Sequence, residues 1–208
     1  MSKMKKGFSL IEMLVVIGII ATLSAAALMT FGKAGDQAMR THCQELVHDA
    51  ATALALVMQD AAGCPSAILA ANGGDHKMSA EVGAELARRN LMSFSYDEVE
   101  DEKTGVTTYR LVGSDQCGIV SPWAAAVVKR LAASGSVSTG RAVPSGGTID
   151  DHILRFSVDD DEDGLVRAER DGRQVTVRGT AAVWCCGADG RFGTADDVRS
   201  WAKGQEDR

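Results

Sequence analysis

Residues 3–32 read KMKKGFSLIEMLVVIGIIATLSAAALMTFG, and their composition differs from that of the rest of the chain. Glu12 is the only ionisable side chain between residues 8 and 32, and residues 13–32 form an uncharged run of 20 residues. A helix rises about 1.5 Å per residue, so this run covers the roughly 30 Å hydrocarbon layer of a bilayer. The core of a secretory signal is usually only about 7 to 15 residues long. The run therefore predicts one membrane-spanning helix within residues 8–32.

Lysines at positions 3, 5 and 6 precede this apolar run. Positive charges flanking a membrane segment tend to remain on the cytoplasmic side. The sequence therefore predicts a cytoplasmic N-terminus, with the remainder of the chain on the other side of the membrane.

Glu12 is the unusual residue of the apolar run. A carboxylate near membrane depth costs on the order of 3 kcal/mol and requires a counter-charge. The apolar run itself contains no basic side chain. The terminal ammonium of a neighbouring copy would supply one if the chain were cut just before the run. The alternative is a simple signal anchor that tolerates one glutamate near its interfacial end.

Residues 5–12, KKGFSLIE, resemble the class III signal of type IV pilins and type II secretion pseudopilins. The resemblance implies that a prepilin peptidase removes the leader, residues 1–7, by cutting between Gly7 and Phe8, and that Phe8 is then N-methylated. It also implies that Glu12, the fifth mature residue, neutralises the terminal amine of an adjacent subunit during assembly. Many relatives carry a proline where this chain has Met29, so the helix is expected to continue through that position.

The same resemblance implies where the chain resides and what it contacts. The expected location is the inner membrane, crossed once, with the C-terminal domain in the periplasm. The expected partners are further copies of the chain, other pseudopilins, the prepilin peptidase and the inner-membrane secretion assembly platform.

Residues 33–62 predict an amphipathic continuation of the membrane helix. Their apolar residues recur at spacings of three and four, which places them on one helix face. These residues are Met39, Cys43, Leu46, Ala50, Leu54, Val57 and Ala61. Gly63 and Pro65 are expected to end the helix.

Residues 63–208 predict a globular domain that contains two short helices. Ser79 is expected to cap the first, which runs to about Asn90. Ser121 followed by Pro122 predicts the start of the second, which ends near Gly135.

Short β runs alternate with turn residues in the same domain. Residues 94–96 and 107–112 predict a hairpin around a polar loop. Three later runs predict an antiparallel meander, and they cover residues 153–158, 165–169 and 174–180. The predicted fold class is therefore α+β, with a long N-terminal helix packed on a small antiparallel β-sheet, as in pilin-like proteins.

Two acidic segments contain the residue types of a calcium site. In the first, Asp159, Asp161 and Asp163 fit the early ligand positions of an EF-hand, but Arg170 occupies the position of the last ligand. Arginine does not ligate a cation. A solvated acidic turn is therefore the favoured interpretation of this segment.

The second acidic segment, residues 187–197, reads GADGRFGTADD. Asp189, Asp196 and Asp197 would supply carboxylate oxygens for Ca²⁺, and the glycines would let backbone carbonyls turn inward. The segment resembles the C-terminal calcium loop of major type II pseudopilins, which a tryptophan, here Trp201, follows shortly. Calcium would then fix the last loop, residues 187–201, to the sheet. An ordinary acidic loop is the alternative.

The cysteines and histidines predict no catalytic site. The chain has five cysteines, and their spacing fits neither a CxxC pair nor a zinc site: Cys43, Cys64, Cys117, Cys185 and Cys186. A periplasmic domain can form one or two disulfides among them, and the sequence does not determine which cysteines pair. A redox enzyme built on Cys185-Cys186 is disfavoured, because vicinal cysteines rarely bridge. The four histidines are predicted to be surface residues. No P-loop, GxSxG or HExxH motif occurs.

Length and charge limit the remaining functional classes. The chain has 208 residues, of which 45% are hydrophobic, which suits one folded domain with an appendage. A net charge of -6 disfavours nucleic-acid binding. The leading hypothesis is a non-enzymatic structural subunit of a type II secretion pseudopilus. The alternatives are a type IV pilin for adhesion, motility or DNA uptake, and a membrane-anchored calcium-dependent binding module that never polymerises.

Overall fold

The computed structural model describes residues 10–60, 63–100, 107–135 and 137–207, without the side chains of residues 26–33, 203 and 207. The predicted processing residues Gly7 and Phe8 therefore lie outside the described residues. The chain divides into two compact units, Met1–Ala38 and Met39–Arg208. The architecture is α+β, as the sequence predicts.

Helix α1, Leu10–Met58, is the longest element, with 49 residues. It continues through Met29 without a break, which confirms the prediction made from the missing proline. No helix among the described residues combines the length and the apolarity that crossing a membrane requires.

The last five turns of α1 carry the predicted buried face. Cys43, Ala50, Leu54 and Val57 are fully buried, and Val47 joins them on the same face. The prediction is wrong for Met39, which is 43% exposed at the edge of its unit, and Ala61 lies outside the described residues.

Three short helices follow, namely α2, Ser66–Asn72; α3, Ala80–Arg88; and α4, Pro122–Ala133. The predicted N-cap is confirmed for α3 but not for α4. The Ser79 hydroxyl accepts the hydrogen bond of the Val82 amide, as an N-cap should. Ser121 precedes α4 but makes no capping bond, because its hydroxyl contacts a buried histidine instead. Single 3₁₀ turns occur at Gly113–Asp115, Asp150–His152 and Lys203–Gln205.

Strands β1, Tyr96–Glu100, and β2, Thr107–Leu111, form an antiparallel hairpin. The predicted loop from residue 97 onwards is therefore too long, since residues 97–100 belong to β1. Residues 97–100 pair in register with residues 107–110, and the Thr108 hydroxyl donates a hydrogen bond to the Val99 carbonyl oxygen at 3.1 Å. Tyr96 and Tyr109 also pack edge to face, with ring centroids 6.0 Å apart.

The remaining six strands form two antiparallel sheets of three. Strands β3, Arg155–Val158; β6, Ala181–Cys185; and β7, Val198–Arg199, pair in the order β3-β6-β7. Strands β4, Leu165–Arg170; β5, Arg173–Arg178; and β8, Glu206–Asp207, pair in the order β4-β5-β8.

The predicted meander is thus wrong for β3, which pairs with β6 and not with β4. Burial explains the difference. Strands β3 and β6 are buried along most of their length, whereas β4 alternates between buried and less buried positions. A strand buried on both faces needs an apolar neighbour, and β6 is the apolar partner. The predicted pairing of β4 with β5 is confirmed, and the two strands join through a turn at Asp171-Gly172, where both residues have positive φ.

The buried face of α1 packs in the main core together with α3 and the β3-β6-β7 sheet. Leu54, Ile68, Leu86, Phe156 and Val183 are among its fully buried members. Two smaller clusters lie beside it. One joins the β4–β5 hairpin to Trp184 and Trp201, and the other covers the inner face of α4.

Candidate functional site

Glu12 lies in the first turn of α1. A carboxylate there also interacts favourably with the partial positive charge at the helix N-terminus. The side chains around it are apolar and exposed, with Leu10 83% and Ile11 68% exposed. In the described apolar part of the helix, residues 10–25, Glu12 is the one acidic residue.

The apolar part of α1 exposes large side chains on every side. These are Leu10, Ile11, Met13, Leu14, Val15, Val16, Ile17, Ile19, Ile20 and Leu23. Consecutive positions point in different directions around a helix, so no single stripe faces a core. A helix that is hydrophobic all round is stable only when lipid or other helices surround it.

The loop between β6 and β7 contains the second predicted site. Its carboxylates accept hydrogen bonds from the loop itself: Asp189 from the Arg191 amide at 2.9 Å, Asp196 from the Asp189 amide at 3.3 Å, and Asp197 from the Gly193 amide at 2.9 Å. Burial raises the pKa of Asp197 to about 6. Burial also acts on Asp196, but hydrogen bonds from Thr194 and the backbone outweigh it and lower the pKa.

Glycines let this loop fold tightly around Asp196. A Cβ atom at Gly187 would overlap the Asp196 carboxylate, and one at Gly190 would overlap the backbone of Gly146. Three carboxylates in such a cradle are a donor set that suits Ca²⁺, which prefers oxygen ligands.

The geometry of the carboxylates favours the other acidic segment. Within the part of the chain that the structure describes, one oxygen each of Asp159, Asp161 and Asp163 lie within 4.8 Å of one another, and the Asp189 loop forms no such group. Asp159 also binds the amides of Asp163 and Gly164, at 3.1 and 2.8 Å. These bonds stabilise the turn after β3, which is the role that the sequence favours for this segment.

A buried polar group that the sequence did not predict connects three separate parts of the domain. His152 is fully buried, so its prediction as a surface residue is wrong. Its Nε2 lies 2.9 Å from the carbonyl oxygen of Gly146, which can only accept, so Nε2 donates. Nδ1 then accepts from the Ser121 hydroxyl at 2.8 Å, and the Cys186 sulfur lies 3.3 Å from the same nitrogen.

This group places a hydroxyl, a thiol and an imidazole together, yet it is closed to any substrate. Ser121, His152 and Cys186 are all fully buried. Burial raises the pKa of the Cys186 thiol, which removes its nucleophilic form. The arrangement instead connects α4, the loop around Gly146 and the end of β6. Ser121 and His152 are 31 residues apart in sequence, so no local pattern predicts that they come into contact.

The N-terminal segment matches a known family. Residues 2–28 match the family model of the prokaryotic N-terminal methylation motif. This motif is the signature of type IV pilin-like precursors, pseudopilins included, which confirms the resemblance seen in residues 5–12. It implies a membrane-anchored precursor, processing by a prepilin peptidase and assembly with other pilin-like subunits. No curated protein and no solved structure matches the chain.

Proposed function

We propose that the chain is a structural, non-enzymatic subunit of a type II secretion pseudopilus, a periplasmic filament that supports protein export. The observation that supports this most strongly is one carboxylate, Glu12, in the first turn of a helix that is otherwise apolar and exposed. The match of residues 2–28 to the N-terminal methylation motif supports a pilin-like precursor.

Charge neutralisation gives Glu12 its role in assembly. Cleavage between Gly7 and Phe8 would create an ammonium group on Phe8, four residues before Glu12 in sequence. In a bundle of these helices, the amine of one subunit meets the Glu12 carboxylate of its neighbour. Two opposite charges that meet at low dielectric attract strongly, which offsets much of the desolvation cost that each would carry alone.

Before assembly, the chain resides in the inner membrane, with the N-terminus in the cytoplasm and residues 63–208 in the periplasm. The support for this arrangement is sequence: 20 uncharged residues follow Glu12, and three lysines precede the apolar run. Its partners are copies of itself, other pseudopilins, the prepilin peptidase and the inner-membrane assembly platform.

We assign Ca²⁺ to Asp189, Asp196 and Asp197 within the same proposal. The support is the donor set of three carboxylates in one glycine-rich loop, in which Gly187 lets the Asp196 carboxylate lie against the backbone, and not the spacing of the carboxylates, which is closer in residues 159–163. A bound cation would hold the last loop against β6 and so couple the stability of the domain to calcium. The resemblance of this loop to that of major pseudopilins favours a secretion filament over a type IV pilus.

Mass spectrometry of the mature N-terminus tests the proposed function. In cells that contain a prepilin peptidase, we expect a chain that begins with methylated Phe8, and a Gly7→Val variant should retain the leader because a branched side chain would then stand directly before the cut. Persistence of Met1 in the unaltered chain would contradict the filament subunit and favour an uncleaved anchor.

A further inference from the structure

A half-open cleft of about 790 Å³ lies between strands β3 and β4. Arg155 and Trp184 line it from β3 and β6, Arg167 lines it from β4, and Asp161 and Asp163 line it from the turn after β3. It contains none of the carboxylates assigned to Ca²⁺. Its volume is in the range of sites that bind whole molecules, and it is far larger than one ion requires.

Two N–H donors of residues in the cleft have no acceptor. Trp184 is only 4% exposed, and its Nε1 has no hydrogen-bond partner among the described residues. The buried Nε of Arg155 also lacks a partner there. Arg155 is the cross-strand partner of Trp184, so the two side chains lie on the same face of the sheet. A buried donor without an acceptor loses the hydrogen bond that it makes to water in the unfolded chain. This part of the cleft therefore favours a ligand that brings acceptor oxygens.

The Arg155 guanidinium is held in place but is not hydrogen-bonded to a carboxylate. Its central carbon lies 3.9 Å from the ring centroid of Phe192. Its Nη1 lies 3.9 Å from a Glu169 oxygen, which is beyond hydrogen-bond distance. Arg167 makes no ion pair or hydrogen bond within the described part of the chain. Guanidinium groups bind ionised oxygen acceptors such as carboxylates more strongly than neutral ones, so both arginines suit an acidic group of a ligand.

The turn after β3 gives the other end of the cleft the opposite charge. Arg155 begins β3, whereas the turn follows its last residue. Asp161 and Asp163 are exposed, and one oxygen of each lies within 4.8 Å of the other. Such a pair of carboxylates attracts an ammonium or guanidinium group and repels a polyanion. The cleft therefore complements a ligand that carries both charges, as polypeptides do and as nucleic acids and acidic glycans do not.

We propose that this cleft binds an extended, mixed-charge segment of another polypeptide. A carboxylate of the segment binds Arg155, Trp184 and Arg167, and a lysine or arginine side chain of the segment binds Asp161 and Asp163. The cleft belongs to the unit of residues 39–208, so the proposal goes beyond filament assembly through the apolar part of α1 and stands without it.

Calorimetric titration of the full chain in detergent tests the cleft with two peptides, Lys-Ser-Thr-Ser-Glu and Glu-Ser-Thr-Ser-Lys. Both have capped ends, so their only charges are those of the lysine and the glutamate. We expect one of the two orders to bind with a Kd below about 1 mM. Replacing its glutamate by glutamine, or its lysine by methionine, should weaken binding at least about tenfold. Absence of binding by both orders, or binding that depends on neither charge, would overturn the proposal. Tighter binding of a capped peptide of glutamates alone would also overturn it, since the site would then suit a polyanion.

Variants locate the binding in the cleft. Arg167→Gln should weaken binding at least about tenfold without changing the melting temperature, because Arg167 has no partner in the described part of the chain. Trp184→Phe keeps an aromatic ring but removes the N–H donor, and it should also weaken binding. The matched control is Arg173→Gln, since Arg173 lies on β5 of the same hairpin but does not line the cleft, and it should leave the affinity unchanged. Equal losses in Arg167→Gln and Arg173→Gln would indicate attraction by overall charge and overturn the site. Full affinity in both Arg167→Gln and Trp184→Phe would contradict it as well.

Discussion

Glu85 on α3 is a buried charged residue whose ion pairs contribute to the stability of the domain. It is 7% exposed and receives hydrogen bonds from Arg88 and Arg89, each with its Nε at 3.2 Å. Burial alone would raise the pKa of Glu85, but the two guanidinium groups outweigh it and lower the pKa below 4.5.

This lowered pKa predicts how stability depends on pH. The ionised Glu85 contributes its full stability above the unfolded-state pKa, and the contribution is lost as the pH falls below 4.5 and through the folded-state pKa. We expect Glu85→Gln to lower the free energy of unfolding by about 2 kcal/mol at pH 7, and by progressively less below pH 4. Denaturant unfolding of the full chain in detergent, repeated across this pH range, measures the difference.

Glu81→Gln is the matched control for Glu85→Gln. Glu81 lies on the same helix, but its ion pair with Arg110 is exposed, with side chains 40% and 62% accessible. An exposed pair contributes at most about 1 kcal/mol, which is half of the effect expected for Glu85→Gln. Equal effects of the two substitutions, or a Glu85→Gln effect that does not change with pH, would refute this account of the buried carboxylate.

Sequence reasoning is weakest at the scale of one residue. Ser121 before Pro122 carries the pattern of an N-cap, and α4 does begin at Pro122. The hydroxyl nevertheless binds His152, which comes 31 residues later and whose burial nothing local indicates. Local patterns predict the backbone start of a helix, whereas the partner of a side chain depends on which distant segment packs beside it.

At the scale of elements, the sequence predicts most helices and misses most strand pairings. Spacings of three and four place Cys43, Ala50 and Leu54 on the buried face of α1, because helix periodicity is local. The partner of β3 is not local. Strand β6 comes about 25 residues later, and the choice between β4 and β6 depends on which neighbour buries both faces of β3.

The loop between β6 and β7 is the proposed calcium site, and calcium should therefore affect the stability of the domain. We expect Ca²⁺ to raise the melting temperature of the full chain and EDTA to reverse the rise, because a ligand that binds only the folded state stabilises it. Asp196→Asn should abolish the response, since Asp196 lies in the cradle beside Gly187. Scanning calorimetry with Ca²⁺ and with EDTA measures both.

Asp161→Asn separates the two acidic segments. Asp161 belongs to the group whose oxygens lie within 4.8 Å of one another after β3, so its substitution should leave the calcium response unchanged if the cation binds the last loop. A response that disappears with Asp161→Asn and survives Asp196→Asn would move the site to residues 159–163. No response to EDTA in any of the proteins would leave both segments as ordinary acidic turns.

The whole molecule combines two kinds of surface. Residues 39–208 contain a domain that buries its own apolar side chains, whereas the apolar part of α1 exposes ten large ones. The sequence makes this contrast visible, because an uncharged run of 20 residues precedes a chain of mixed composition. It also supplies the single acid that an assembly of such helices must neutralise.

Replacing Glu12 tests the central claim most directly. In cells with the complete secretion system, chains would be cross-linked in the membrane and separated by size to measure the ladder of oligomers. We expect Glu12→Ala to reduce oligomers at least about tenfold while methylated Phe8 still forms, because a counter-charge in a low-dielectric bundle contributes more than about 1.4 kcal/mol. Glu45→Ala, which removes an exposed acid from the same helix, should leave the ladder intact. An unchanged ladder in processed Glu12→Ala would contradict assembly through the pairing of this carboxylate with a neighbour's terminal amine.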